Sequence, residues 1–189
     1  MVVAFDVETK NAFGDIDSSD PAKLEVSFVG VYRSDTNEYL SFWENNLSLM
    51  WPIFEAAEIV VGYNSKGFDY PALAPHYPGD LFKLPTLDML EVVNNSLGHR
   101  VKLDSVAVAT LGKGKIGNGL DAVRYWRNQE LDKLEKYCLE DVRVTWEVYK
   151  YAKENNRLFY LNQVGEKKEF PIKWPEQKTV ESFQTTLGI

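Results

Sequence analysis

Cysteine is nearly absent from this chain. Cys138 stands alone among 189 residues, so no disulfide can form within it. Histidine is scarce too. His76 and His99 are the only two, and neither sits at a metal-ligand spacing, which removes the usual nitrogen and sulfur donor sets for zinc. No apolar run approaches the roughly 20 residues that span a bilayer, and no basic segment leading into an apolar one marks a secretory signal at the start. Blocks of like charge, low-complexity stretches and internal repeats are missing as well. Together these absences predict a cytoplasmic chain in a reducing compartment, with no membrane association. Excess positive charge is also lacking. The net charge is −7, which argues against coating nucleic acid by bulk electrostatics. It leaves room for a local site where a divalent cation inverts the field.

What is present is a substantial core. Hydrophobic residues make up 44% and aromatics 13%, enough for one globular domain. The first ten residues organise the reading. Met1 to Lys10 has the pattern of a strand, in which alternate residues share a face. Val3, Phe5 and Val7 then face one way, and Asp6 and Glu8 the other. Two carboxylates on one face of a buried strand repel each other unless solvent, hydrogen bonds or a cation relieves them.

Asn11 to Pro21 reads as a polar loop beside that acidic pair. Phe13 is an apolar residue within it, either covering a site or ligand or simply anchoring the loop. Glu25–Tyr32 and Asn37–Trp43 are predicted strands, pairing with the first in sequence order. Leu47–Ala57 has helical spacing. Ile59–Val61 is a short buried strand that runs into Gly62–Pro71. That loop carries Asn64, Phe68 and Asp69 at the end of a strand, where α/β proteins place ligand groups. Taken by itself, Asp69 reads as the cap of the short helix that follows, and Phe68 as a core residue. Thr86–Leu97 is predicted helical, closed by Gly98, and a further helix opens at Asp104 as N-cap and closes at Gly112. Gly112–Gly119 is a basic loop but not a Walker P-loop. Lys113 and Lys115 there read first as solvated, and second as contacts to a phosphate backbone. Leu120–Arg127 is a short helix, Glu130–Glu154 a long one or two in tandem, and Leu158–Leu161 with Glu169–Ile172 a hairpin around Gly165. A polar tail follows from Pro175.

The long helix carries one residue on the wrong face. At 100° per residue, Leu134, Tyr137, Cys138, Val142, Thr145 and Val148 share an apolar arc. Glu140 and Arg143 lie opposite. Asp141 falls inside the apolar arc, with Tyr137 one turn before it, and Cys138 reads as inert packing. A core-facing carboxylate needs a counter-charge or donors. Asp6, Glu8, Asp69 and Asp141 form an all-oxygen donor set, which suits hard cations such as Mg²⁺ or Mn²⁺.

Asp6-Val7-Glu8-Thr9, Asn64 with Phe68-Asp69, and Tyr137-x-x-x-Asp141 resemble the three motifs of the DEDD superfamily of 3′→5′ exonucleases, in its tyrosine branch. The segments Gly62–Leu73, Lys102–Gly112 and Tyr137–Asp141 are similar to the proofreading exonuclease domains of family B DNA polymerases and to stand-alone bacterial exonucleases with an RNase H-like fold. The likeness covers about residues 1 to 153. It differs in a short stretch between the first two motifs and in the absence of any polymerase portion. It implies an α/β RNase H-like fold, with a central mixed sheet flanked by helices, over residues 1–155. The hairpin and tail of 156–189 are expected to pack on that same domain.

The resemblance also implies two divalent ions, Mg²⁺ or Mn²⁺, held by Asp6, Glu8, Asp69 and Asp141. The implied reaction hydrolyses single-stranded DNA or RNA from its 3′ end and releases nucleoside monophosphates. Tyr137, with a reference pKa of about 10, is expected to orient the nucleophile rather than act as sole base. Thr9, Phe13, Asn64 and Phe68 are the expected contacts to the terminal nucleotide, and a protein partner for substrate delivery is a further expectation. Two alternatives stand beside this: a non-catalytic RNase H-like module that binds nucleic acid, and a phosphodiesterase that scavenges oligonucleotides.

Overall fold

The computed structural model describes residues 1–114 and 119–175. The expectations for Lys115 and for the polar tail beyond Pro175 lie outside the described residues. Strand β1 (Val2–Thr9) is the middle strand of a five-stranded sheet. On one side β2 (Val26–Arg33) pairs with it antiparallel, and β3 (Glu38–Trp43) lies beyond, so the first three strands do pair in sequence order. On the other side β4 (Ile59–Gly62) and β5 (Thr86–Asp88) run parallel to β1, giving the order β3-β2-β1-β4-β5. Helices flank this mixed sheet: α1 (Trp51–Glu55), α2 (Asp69–Leu73), α3 (Met89–Leu97), α4 (Leu103–Leu111), α5 (Gly119–Arg127) and α6 (Leu131–Asn155). The fold is the α/β architecture expected.

The two neighbours of β1 do not end together. β2 follows it down to Thr9, but β4 pairs only with Val2, Val3 and Ala4. From Phe5 onward β1 runs past the end of β4, and an opening forms on that side of the sheet. This is the carboxyl end of a parallel pair, where open α/β sheets place their ligands.

The core lies on both faces of the sheet. Val3, Phe5 and Val7 pack with Val29, Phe54 and Leu73 on one face. Phe5 sets its ring edge-on to Phe54 at 5.1 Å, and is 1% exposed. A side chain so buried contributes about 2–3 kcal/mol by removal from water. On the other face Ala4 meets Val142 of α6. Val144 of α6 is buried as well, although it lies off the predicted arc. The helix is covered twice, by the sheet and by a second cluster built from α3, α4 and the C-terminal hairpin.

Three local expectations are corrected. Glu44–Leu49 is a 3₁₀ turn and only Trp51–Glu55 is α-helical, because Pro52 in the first turn suits a helix start rather than an interior. Thr86–Asp88 is a strand and not the first turn of α3. Its apolar Leu87 serves either periodicity, and pairing with β4 decides the matter. Helix α4 begins with Lys102 as N-cap, so Asp104 sits in the first turn, where an acid complements the helix dipole.

The hairpin is a separate two-stranded sheet, β6 (Arg157–Leu161) and β7 (Lys167–Pro171), around Gly165. The outer edge of β6 is closed by side chains of α4. Ser105 Oγ donates to the Leu161 carbonyl and accepts from its N–H, both at 3.0 Å. Thr110 Oγ1 does the same for Phe159, both at 3.1 Å. One hydroxyl for each outward-facing strand residue satisfies an edge that would otherwise remain open. No helix among the described residues is long and apolar enough to cross a membrane.

Candidate active site

The face of β1 opposite Val3, Phe5 and Val7 carries Ala4, Asp6 and Glu8, and α6 lies across it. A long helix approaches a sheet this closely only where side chains are small. Gly30 of β2 stands beside Asp6 in the strand register. A methyl group on Gly30 would meet Val142 Cγ2 at 2.9 Å, Leu139 Cδ2 at 3.1 Å and Cys138 Sγ at 3.2 Å. Its bare backbone lets α6 settle with Asp141, only 1% exposed, and Tyr137 beside the acidic end of β1. Glu140, one residue before Asp141, turns away and pairs with Arg143.

Asp69 reaches the same place from the other side of the opening. It is the first residue of α2, and Phe68 holds the N-cap position without a side-chain bond. The capping reading is therefore replaced. Asp69 Oδ1 accepts the β1 backbone N–H of Val7 at 3.1 Å. Asp6, Glu8, Asp69, Asp141 and Tyr137 line one cavity of about 450 Å³. Thr9, Phe13, Asn64 and Phe68 line it too. The Thr9 hydroxyl donates to the Asn11 carbonyl at 2.7 Å. The rings of Phe13 and Phe68 meet edge-on, 6.1 Å apart, and Phe13 remains 40% exposed. Phe68 is half-buried at the cavity wall, not part of the core.

Asn64 has a left-handed backbone, φ 68°, and is held from both sides. Its N–H donates to Asp88 Oδ1 at 2.8 Å, and its side-chain carbonyl accepts Arg100 Nη2 at 2.6 Å. Asp88 also accepts from Lys66 N–H at 3.1 Å and, as the N-cap of α3, from Leu90 N–H at 2.9 Å. One buried carboxylate thus shapes the loop after β4 and starts the next helix.

The electrostatics follow from crowding acids out of water. Burial, then the charge of Asp6, pushes the Asp69 carboxyl well above the usual carboxylate range. Tyr137 donates its hydroxyl to Asp141. Burial first, and then Asp141, Glu8 and Asp6, drive its pKa far above that of a free phenol. Cys138 is fully buried in an apolar cluster with Phe28 and Leu134, as expected of inert packing, but it also abuts the acids. Its thiol lies 3.4 Å from the Asp6 carbonyl and 3.7 Å from Asp6 Oδ2. Ligand atoms of Asp6, Glu8 and Cys138 lie within 4.8 Å of one another. Burial and the neighbouring carboxylates push the thiol up, so it stays protonated and offers no thiolate. The remaining donors are carboxylate oxygens, which fit a hard divalent cation and not a thiophilic one.

Sequence reasoning missed several cavity residues. Leu24, Tyr63, Leu120 and Val123 complete the wall. Leu120 and Val123 come from α5, which is tied to the loop after β1 by the ion pair of Arg127 with Asp15 at 2.5 Å. No local spacing signals that arrangement. Asp88 was readable only in part, since an Asp preceding a helical run is an N-cap signal.

Comparison with known proteins agrees with this architecture. No curated protein sequence matches the chain. Among solved structures, a family B DNA polymerase from the hyperthermophilic archaeon Pyrobaculum calidifontis superposes with a TM-score of 0.60 at 24% identity. The match covers 80% of this chain but only 24% of the polymerase, and it shows a shared fold. A profile of the RNase H superfamily matches residues 4–153, from the third residue of β1 almost to the end of α6. That span holds the five-stranded sheet except for Val2 and Val3, and nearly all of the helix that crosses it, and the chain belongs to the RNase H superfamily.

Proposed function

We propose that the chain is a divalent-metal-dependent 3′→5′ exonuclease that hydrolyses single-stranded nucleic acid and releases nucleoside monophosphates. The observation that carries this reading is the common cavity. Carboxylates from β1, α2 and α6, separated by up to the length of the domain in sequence, open into it together with Tyr137. The likeness of the three motifs to DEDD exonucleases supplies the polarity of attack. Asp6, Glu8 and Asp141 would hold one Mg²⁺ or Mn²⁺, and Asp6 with Asp69 would bear on a second. When bound, such ions lower the pKa of a water toward neutrality and stabilise the charge of the leaving oxygen.

The chain's own groups do the rest. Asp69 is oriented by the Val7 amide, so α2 and β1 keep a fixed separation. Tyr137 retains its proton at neutral pH and donates it in a hydrogen bond to Asp141, so its oxygen is left to accept from the attacking water and align it, and it is not the base. Arg100 occupies the carbonyl end of the Asn64 amide. The Asn64 Nδ2 hydrogens are then what that side chain presents to a terminal nucleotide. Phe13 and Phe68 offer faces and edges against which a base can pack.

The test is digestion of 5′-labelled single-stranded DNA and RNA with Mg²⁺ or Mn²⁺, with and without chelator. A ladder shortening from the 3′ end, lost in Asp6→Ala and Asp141→Ala while folding persists, is the expected result. Tyr137→Phe should slow turnover about a hundredfold while keeping the metal-induced rise in melting temperature. Cleavage that survives chelation, or no cleavage of either polymer, refutes the proposal.

A further inference from the structure

A second groove lies beside the acidic cavity, between the residues leading into α4 and the C-terminal hairpin. It encloses about 720 Å³, more than the cavity itself, and is lined by His99, Arg100, Lys102, Ser105, Tyr160 and Asn162 among others. No carboxylate is among its lining residues. In a chain with a net charge of −7, a wall carrying Arg, Lys and His is locally reversed in sign. Arg100 and Lys102 are exposed, and neither is in an ion pair among the described residues. Glu166, the acid at the hairpin turn, is engaged by Lys168 at 2.9 Å.

The groove and the cavity are joined at two consecutive residues. Tyr63 and Asn64 both line the acidic cavity. The Tyr63 hydroxyl donates to the Val101 carbonyl at 2.6 Å, and Arg100 reaches the Asn64 side chain at the same distance. The loop after β4 is therefore the shared wall, and on the Arg100 side the nearest acids are already engaged, Asp88 by backbone N–H groups and Glu91 by Lys66 at 2.5 Å. The far wall is held rigidly, because Ser105 and Thr110 pin β6 to α4. Within the groove the rings of His99 and Tyr160 meet edge-on at 5.8 Å, a surface on which a base can stack.

We propose that this groove holds the nucleotides upstream of the terminal two, so that the hairpin forms one wall of a single-strand track. Resting on the exonuclease reading, the proposal extends it to how the strand is gripped. Cations would take the phosphates, and the His99–Tyr160 pair a base. A positively charged track with stacking platforms matches single-stranded nucleic acid, whether DNA or RNA, and does not need the pairing geometry of a duplex. It also answers how a net acidic protein retains a polyanion without a basic surface overall.

The experiment uses the double variant His99→Ser, Lys102→Ser. Both residues are exposed and neither lines the acidic cavity, and the Arg100 contact to Asn64 is kept. Two readouts are taken. In the first, kcat/KM is compared for a dinucleotide and for a single strand of about ten nucleotides. The expected result is a KM raised about tenfold for the longer strand with kcat and the dinucleotide unchanged, and a shallower salt dependence of KM. Equal loss on both substrates, or none on either, overturns the track. In the second, anisotropy of a labelled DNA or RNA strand is followed in chelator at low salt, where no cleavage is needed. The double variant should bind about tenfold more weakly than the parent. Equal affinities, or no binding by the parent, overturn the proposal. If neither substrate is cleaved but the binding difference stands, the exonuclease reading fails and the track survives.

Discussion

Gly30→Ala is the sharpest probe of how the acidic cavity is assembled. An added Cβ comes 2.9 Å from Val142 Cγ2, 3.1 Å from Leu139 Cδ2 and 3.2 Å from Cys138 Sγ. Val142 is 0% exposed and β-branched, so it has no alternative rotamer to retreat into. Overpacking of this kind costs about 1–3 kcal/mol. Against it, alanine relieves the entropic cost of glycine in a strand by roughly 0.5–1 kcal/mol. The clash wins, and the net loss is about 1–2 kcal/mol, which lowers the melting temperature of a chain this size by roughly 2–8 °C.

The functional cost is expected to exceed the stability cost. α6 must move outward by a few tenths of an ångström, and it carries Asp141 and Tyr137 while Asp6 and Glu8 stay on β1. Thermal melts with and without Mn²⁺ read both effects. Gly30→Ala should have a lower baseline and a smaller metal-induced rise than the parent. In a Val142→Ala background the same glycine substitution should cost less, giving a favourable coupling in the double-mutant cycle. A Gly30→Ala protein as stable as the parent, or a cycle with no coupling, refutes the claim that this glycine sets the approach of α6.

Two further outcomes test the site's electrostatics and its support. Asp69 holds its proton more tightly when folded than when unfolded, so its contribution is present below the ordinary carboxylate pKa near 3.8 and is lost as pH rises through the raised value. In chelator, urea melts at increasing pH should show Asp69→Asn losing less stability than the parent across that window, and identical pH profiles would contradict the assigned burial and repulsion. Asp88 accepts three backbone N–H groups, two of them in the loop that carries Asn64. Asp88→Ala should therefore cost on the order of 3 kcal/mol by urea denaturation. Asp88→Asn, which keeps one acceptor oxygen, should lose about half of that; no difference between the two would show that the paired oxygens do not act separately.

Much of this was legible in the residues. Alternation in Val2–Thr9 put Asp6 and Glu8 on one face, and the 3.6-residue period put Asp141 and Tyr137 on the buried side of α6, because both periodicities are local properties of the backbone. The same local signals mark the Gly98 and Gly112 helix stops and the turn at Gly165. What they could not decide is anything that depends on a partner distant in sequence. Thr86–Asp88 became a strand because β4 was there to pair with it. Asp69 left its capping role because the Val7 amide lies across the opening at the end of β4. Cys138 came to rest against Asp6 because Gly30 has no side chain, and Arg100 became a neighbour of Asn64 because α4 and the hairpin pack beside the loop after β4. Sequence alone determined which side chains would be awkward to bury; only the tertiary structure decided that they would be awkward together, since repulsion and coordination depend on distances that no linear spacing contains.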